Sequence, residues 1–331
     1  MLFLHRNENR FGLSPSVRAT LQASCVDVFS YPGSCVSRLR GILARHYALP
    51  PAQVLLGAGS TEVLALALTS LSRQPGARLF STLPVYAPVE WLARGRMPLT
   101  QLPLTTTMQA DVGALRRAVS THPGFAVVYL SHPDCYCGAL LDRDPLLAWI
   151  RERDARVFFI VDEAYMEFVD APERFSLCPA VAAGADNLLV LRTFSKAYGL
   201  AGLRIGYGLA GGKAAGNCPS LSGRLGLSLP AVTAALDAWD DHAWLLHALT
   251  LMRVSRDTLS LGLSSLGGAP LDSVANFVLH RVPGDGGVFR RVMREHAIRV
   301  GFPVRGLPGW CRVTVGAIDE VNHYLSALRT L

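Results

Sequence analysis

The stretch LVLRTFSKAYGLAGLRIGYG (Leu189–Gly208) ends an apolar run in Arg192-Thr193-Phe194-Ser195, then places Lys196 ahead of a glycine-punctuated segment carrying Arg204. A lysine at the end of a buried strand is costly unless its amine is used there. Thr193 and Ser195 add hydroxyls, and Arg204 adds a planar fork suited to phosphate oxygens. Two other places offer chemistry. Gly57-Ala58-Gly59-Ser60-Thr61-Glu62 leads into a helical pattern. Such a turn presents backbone N–H groups and the helix dipole to an anion. The bland reading is an N-cap by Ser60; the motif is neither a P-loop nor a full dinucleotide fingerprint. The run VFFIV ends in Asp162-Glu163-Ala164-Tyr165. Its carboxylate reads as a helix cap or core ion pair, or else as the partner of a protonated ring nitrogen, with Tyr165 turned to the same ligand.

The elements that must position these groups are short apolar runs: Val54–Leu56, Arg78–Ser81, Phe125–Leu130, Val157–Val161 and Leu188–Leu191. Segments with helical apolar spacing separate them, among them Thr61–Ser72, Asp111–Ser120 and Pro145–Arg153. The alternation points to an α/β fold with a mostly parallel sheet between helices. In such sheets ligands collect beyond the carboxyl ends of the strands, where each candidate group falls. An amine, an acid, a tyrosine and an anion cradle at one edge suit an aldehyde that carries a phosphate and a basic ring nitrogen. That ligand is pyridoxal 5′-phosphate (PLP). A nucleotide-binding reading of Gly57–Thr61 leaves Lys196 without a purpose.

From about Ala234 the pattern changes to one long helix (Ala234–Leu259), a strand at Phe277–Arg281, a helix near Val288–Glu295, a strand at Cys311–Val315 and a last helix from Ile318. This reads as a smaller α+β domain. The expected division is an N-terminal segment, 1–30, packing with the small domain, a large PLP-binding domain, 31–230, and a small C-terminal domain, 231–331. The Gly/Ser-rich stretch Gly211–Ser228 reads as the linker.

The 331 residues are half hydrophobic and 17% charged, which argues for large cores and against extensive disorder. The net charge of +7 comes from scattered rather than clustered basic residues, favouring small anionic ligands over nucleic acid. Seven cysteines without a CxxC pair read as thiols of a cytoplasmic protein. The start, MLFLHRNENR, is too short an apolar run for a signal peptide, and no apolar stretch is long enough to span a bilayer.

Taken in order, NENRFGLSPSV, YPG, GAGSTEVL, LPVYAP, VDEAY, TFSKAYGLAGLRIGY, ANFVL and CRVTVG span nearly the whole chain. In these blocks the sequence resembles the fold-type I PLP enzymes of the class I/II aminotransferase group, most closely histidinol-phosphate aminotransferases; threonine-phosphate decarboxylases are similar in the same places. The resemblance implies that Lys196 carries the PLP aldehyde as a Schiff base and shuttles a proton. Asp162 would keep the ring nitrogen protonated, Tyr165 would hydrogen-bond the ring oxygen and Tyr86 would stack on the ring. Ser60, Thr61, Ser195 and Arg204 would hold the phosphate, helped by Thr193. Tyr31 would reach the phosphate from a second subunit, giving a homodimer with shared sites. Arg312 would take a substrate carboxylate as a bidentate pair, with Asn276 and Asn7 lining the same pocket. The implied activity moves an amino group from an amino acid or a phosphorylated amine, histidinol-phosphate-like, to a 2-oxo acid such as 2-oxoglutarate. The alternatives are a decarboxylase on the same scaffold and a PLP-binding protein without turnover.

The chain departs from the family pattern at three points. Where an Asn-Pro-Thr-Gly motif usually supplies an amide to the ring oxygen, it reads Ser131-His132-Pro133-Asp134-Cys135-Tyr136-Cys137-Gly138, with Cys135 at the Asn position. A thiol is a weak donor, and losing one neutral hydrogen bond costs about 1 kcal/mol. A metal on His132, Cys135 and Cys137 is not expected, because the spacing is unlike common zinc sites and no second ligand pair accompanies it. Gly301 stands where the family has an arginine that helps hold the phosphate end of histidinol phosphate, with Arg299 close by. The segment after Gly208 is shorter and richer in Gly and Ser than in relatives.

Overall fold

The computed structural model describes residues 1–24, 27–212, 226–282 and 284–331. Of the expected linker Gly211–Ser228, residues 213–225 lie outside the described residues.

A short strand, β1 (Leu2–Leu4), precedes the strands of the central sheet: β2 (Val54–Gly57), β3 (Arg78–Leu83), β4 (Leu99–Pro103), β5 (Ala126–Ser131), β6 (Val157–Asp162), β7 (Leu188–Thr193) and β8 (Gly206–Ala210). Their order is β2-β8-β7-β6-β5-β3-β4, and all neighbours are parallel except β8, which runs antiparallel to both β2 and β7. The expected runs coincide with β2, β3, β5, β6 and β7 to within two residues. These strands are apolar throughout because helices cover both faces. Side chains alternate between two cores: Val128, Phe159 and Val190 face one, and Val127, Phe158 and Leu189 face the other.

Two strands of the sheet have no apolar signature in the sequence. β4 is an edge strand with half-buried side chains, so LTQLP carries polar residues. β8 is GYGLA, whose glycines read as breakers in a strand. Here they are needed for packing. A Cβ at Gly206 would lie 2.5 Å from the Ser60 backbone nitrogen, and one at Gly208 would lie 2.8 Å from Val63 Cγ1. The helix Ser60–Leu71 can sit on β8 only because both side chains are missing.

The C-terminal part adds β9 (Phe277–Arg281), β10 (Ile298–Val300) and β11 (Trp310–Thr314). β9 and β11 pair antiparallel, while β1 pairs parallel with β10, so the N-terminal strand joins the C-terminal part of the chain. The single helix expected over Ala234–Leu259 is corrected to two, Leu229–Asp240 and His242–Ser265. Asp241 leaves the helical region (φ −84°, ψ 63°) and its carboxylate caps the second helix by accepting from the Trp244 N–H at 3.1 Å. Apolar spacing runs through the break, so periodicity alone missed it. Among the described residues, no helix is long and apolar enough to cross a membrane.

Candidate active site

Each parallel strand delivers its following residues to the same edge of the sheet. β2 leads to Ser60 and Thr61, β3 to Tyr86, β5 to Cys135, β6 to Asp162 and Tyr165, and β7 to Thr193, Ser195 and Lys196. Because β8 is antiparallel, Arg204 just before it arrives at that edge too. All ten line one cavity of about 250 Å³, together with Arg6, Glu8, Ser131, Ala164 and Ala201.

The anion end is built by backbone geometry. Gly59 (φ 81°) starts the helix Ser60–Leu71, which no side chain caps, so the N-cap reading of Ser60 gives way to a helix start turned toward the cavity. A Cβ on Gly59 would lie 2.3 Å from Arg204 Nη2. With glycine there, the guanidinium lies against the turn, donating to Ala58 O at 3.4 Å, Ser195 Oγ at 3.4 Å and Ala201 O at 3.1 Å. Arg204 itself takes the left-handed region (φ 55°). Thr61 and Tyr86 share a hydrogen bond between hydroxyls at 3.1 Å.

At the other end Asp162 is buried. Its Oδ2 accepts from the Tyr129 hydroxyl at 2.9 Å and its Oδ1 from the Ala164 N–H at 3.1 Å. Desolvation outweighs these bonds and raises the carboxyl to about 6. The amine of Lys196 donates to the backbone carbonyls of Arg6 at 3.0 Å and Asn7 at 3.1 Å. Desolvation, and then the Arg312 charge, lowers it to about 8. An acid poised upward and an amine poised downward face one cavity, a pattern typical of reactive sites. Tyr165 is buried, and its hydroxyl is pushed up by desolvation. The Cys135 thiol is pushed up in the same way, so it stands there neutral.

Four of the residues expected to hold cofactor or substrate do not line this cavity. Arg312 stacks on Tyr136 and Phe277 (4.8 and 5.4 Å to the ring centres) and donates to Cys135 O at 2.6 Å. Asn276 is buried and donates to Asn7 O at 3.0 Å. Asn7 donates its side-chain amide to the Tyr165 hydroxyl at 3.0 Å and does not itself line the cavity. Tyr31 is 87% exposed. His132 and Cys137 are tied into their loop: His132 Nδ1 accepts from Leu141 N–H at 3.1 Å, and the Cys137 N–H donates to Asp134 at 2.8 Å.

Sequence reasoning missed Arg6 and Glu8, which flank Asn7 in an irregular segment, with Asn7 in the left-handed region (φ 54°), and line the cavity. It named Asp162 as the partner of the ring nitrogen and gave Glu163 no role. Asp162 faces the cavity, whereas Glu163 is fully buried behind it, 2.9 Å from Arg192 and accepting from Leu177 N–H at 2.6 Å. Arg192 also pairs with Glu167 at 2.9 Å. The cap-or-ion-pair reading thus belongs to Glu163 rather than Asp162.

The residues present fit PLP. Uncapped helix N–H groups, hydroxyls and a guanidinium suit its phosphate, a buried carboxylate suits its ring nitrogen, and an amine of lowered pKa suits its aldehyde. Comparisons with known proteins agree. Residues 1–328 match the model of the family described as aminotransferase class I and II. A histidinol-phosphate aminotransferase of Anaeromyxobacter sp. is 32% identical over 329 residues, covering 98% of this chain and 89% of that one. One from Bradyrhizobium diazoefficiens is 31% identical over 338 residues, covering 99% and 92%. The crystal structure of histidinol-phosphate aminotransferase from Sinorhizobium meliloti in complex with PLP is similar with a TM-score of 0.87 and 27% identity, covering 99% of this chain and 91% of that one. The Lys196 cavity therefore lies in a chain that belongs to the class I and II aminotransferases, as a PLP-dependent transaminase of fold type I.

Proposed function

We propose that this transaminase takes its amino group from an amino acid or a phosphorylated amine resembling histidinol phosphate and passes it to a 2-oxo acid such as 2-oxoglutarate. The observation that carries the reading is the convergence of Lys196, Asp162 and the Gly59–Arg204 cradle on one cavity. The names of the relatives, and the arginines Arg6 and Arg312 at and beside the cavity, support an anionic substrate.

Bound PLP supplies an aldehyde that takes up amino groups and a ring that withdraws electrons from the neighbouring carbon. Lys196 Nζ would hold that aldehyde and, when free of it, would carry the proton at the substrate Cα. Its lowered pKa leaves a usable fraction neutral near pH 8. Asp162 holds a proton on the ring nitrogen, and pairing with that cation favours its ionised form. Tyr86 orients the ring, and Tyr165 donates to its oxygen with little help from Cys135. Ser60, Thr61, Thr193, Ser195 and Arg204 hold the phosphate. Arg312, beside the cavity, would take the substrate carboxylate, and Asn276 would act behind it through the Asn7 carbonyl. The chain works as a homodimer in the cytoplasm, with Tyr31 of one protomer completing its partner's phosphate site. Residues 31–230 form the PLP-binding domain, residues 231–331 the small domain, and residues 1–30 a segment packed with the latter.

The test is an absorption spectrum with PLP before and after L-glutamate or histidinol phosphate, beside Lys196→Ala. A visible band that converts to the pyridoxamine form, and is absent in the variant, is the expected result. A band that neither donor moves, accompanied by CO2 release from an amino acid, would replace the transaminase reading with the decarboxylase one.

A further inference from the structure

Asn7 is more highly connected than a pocket-wall residue needs to be. It is 1% exposed and left-handed (φ 54°), a conformation that asparagine adopts more readily than most residues. Groups from four separate places in the fold meet on it. Its amide donates to Tyr165 Oη at 3.0 Å, and its backbone N–H donates to Thr314 Oγ1 at 3.0 Å. Its carbonyl accepts from Lys196 Nζ at 3.1 Å and from Asn276 Nδ2 at 3.0 Å.

The direction of the first bond has a consequence. A tyrosine hydroxyl has one proton to give. Because Tyr165 accepts from the Asn7 amide, that proton is left to point elsewhere, and Tyr165 lines the cavity. On this side of the cavity the neighbouring Cys135 is a neutral thiol and a poor donor. The orientation of a single hydroxyl thus carries more here than it would beside an amide. The two residues that flank Asn7 face the cavity while its own side chain faces Tyr165, so the segment 6–8 touches ligand and hydroxyl together.

We propose that Asn7 is a positioning residue: it acts through Tyr165, directing that hydroxyl's proton at the ring oxygen of PLP. This rests on the reading of Tyr165 as the donor to that oxygen. A donor there stabilises the ring oxygen in its anionic form, so it lowers the pH at which the visible band of lysine-bound PLP changes. Weakening the donor raises that pH.

The experiment is a spectroscopic pH titration of the PLP-loaded protein, with equilibrium PLP binding measured alongside. Asn7→Gly suits it, because glycine keeps the positive φ and the carbonyl that Lys196 uses, removing only the amide. Tyr165→Phe is expected to raise the midpoint by about one unit, and Asn7→Gly by about half a unit with roughly fivefold weaker PLP binding. In the Tyr165→Phe background, Asn7→Gly is expected to add nothing to the midpoint shift, since its effect passes through the missing hydroxyl. Asn7→Asp is expected to shift the midpoint further than Asn7→Gly, because an ionised carboxylate only accepts and draws the Tyr165 proton to itself. If Tyr165→Phe moves the midpoint and Asn7→Gly does not, the inference fails alone. Equal Asn7→Gly shifts in both backgrounds would also overturn it, assigning Asn7 a purely structural part. If Tyr165→Phe moves nothing, the assignment of Tyr165 fails and takes this inference with it.

Discussion

Burial brings the ionisation of Asp162 and Lys196 toward one another, from 3.8 up to about 6 for the acid and from 10.5 down to about 8 for the amine. Each shift opposes the charged form in the folded protein, so the site is held ready for PLP at a cost in stability. For Asp162 the sign follows from linkage. A carboxyl whose folded pKa is raised contributes nothing below its unfolded pKa near 4 and destabilises the protein above its folded pKa near 6. A shift of about two units corresponds to about 3 kcal/mol. Without PLP, Asp162→Asn is therefore expected to gain stability at pH 8, by at most about 3 kcal/mol, with the gain shrinking as pH falls from 6 to 4. The same variant loses transamination. Urea unfolding at several pH values checks the first part; a loss of stability at pH 8 would mean that the bonds from Tyr129 and Ala164 outweigh desolvation. Lys196, Asp162 and Tyr165 were legible because each is a polar residue placed just after an apolar run, and Arg204 because it follows Lys196 in a block that resembles the family's. Arg6 and Glu8 were not, since nothing in a polar N-terminal segment says which residues turn inward.

β8 and the helix Ser60–Leu71 show why an element can be invisible in sequence and still required by the site. GYGLA lacks the side chains that announce a strand, and it lacks them so that the helix start carrying Ser60 and Thr61 can press against it. The same strand brings Arg204 to the cavity edge because it runs antiparallel. Gly206→Ala is accordingly expected to cost about 1–3 kcal/mol by overpacking. Its new methyl meets backbone atoms of Gly59 and Ser60, so PLP affinity should fall with stability. Chemical denaturation and a PLP titration on one sample decide this. Unchanged affinity with lowered stability would separate the strand from the phosphate cradle. The helix break at Asp241 makes a similar point, since capping by one carboxylate overrides a periodicity that continues across it.

At the scale of the whole molecule, the exposed apolar side chains Val28, Phe29 and Tyr31 follow one another closely in the segment before the helix Gly33–His46, and Trp91 is also 64% exposed. Exposed apolar clusters of this kind suit an interface. Sedimentation of the purified protein should give twice the chain mass. Tyr31→Ala should keep that mass while weakening PLP binding roughly tenfold, about the value of one charge-assisted hydrogen bond. A monomer that binds PLP as tightly as the dimer would remove Tyr31 from the site. The sequence by itself determined the alternating strands and helices, because burial on both faces demands apolar runs. It also determined the cofactor chemistry, because an amine, an acid and an anion turn at strand ends have few other uses. Tertiary structure alone decided that β8 runs antiparallel beside β2 and that Asn7 bonds the Tyr165 hydroxyl. These depend on which groups meet across more than a hundred residues of chain, and local propensity and spacing carry no record of that meeting.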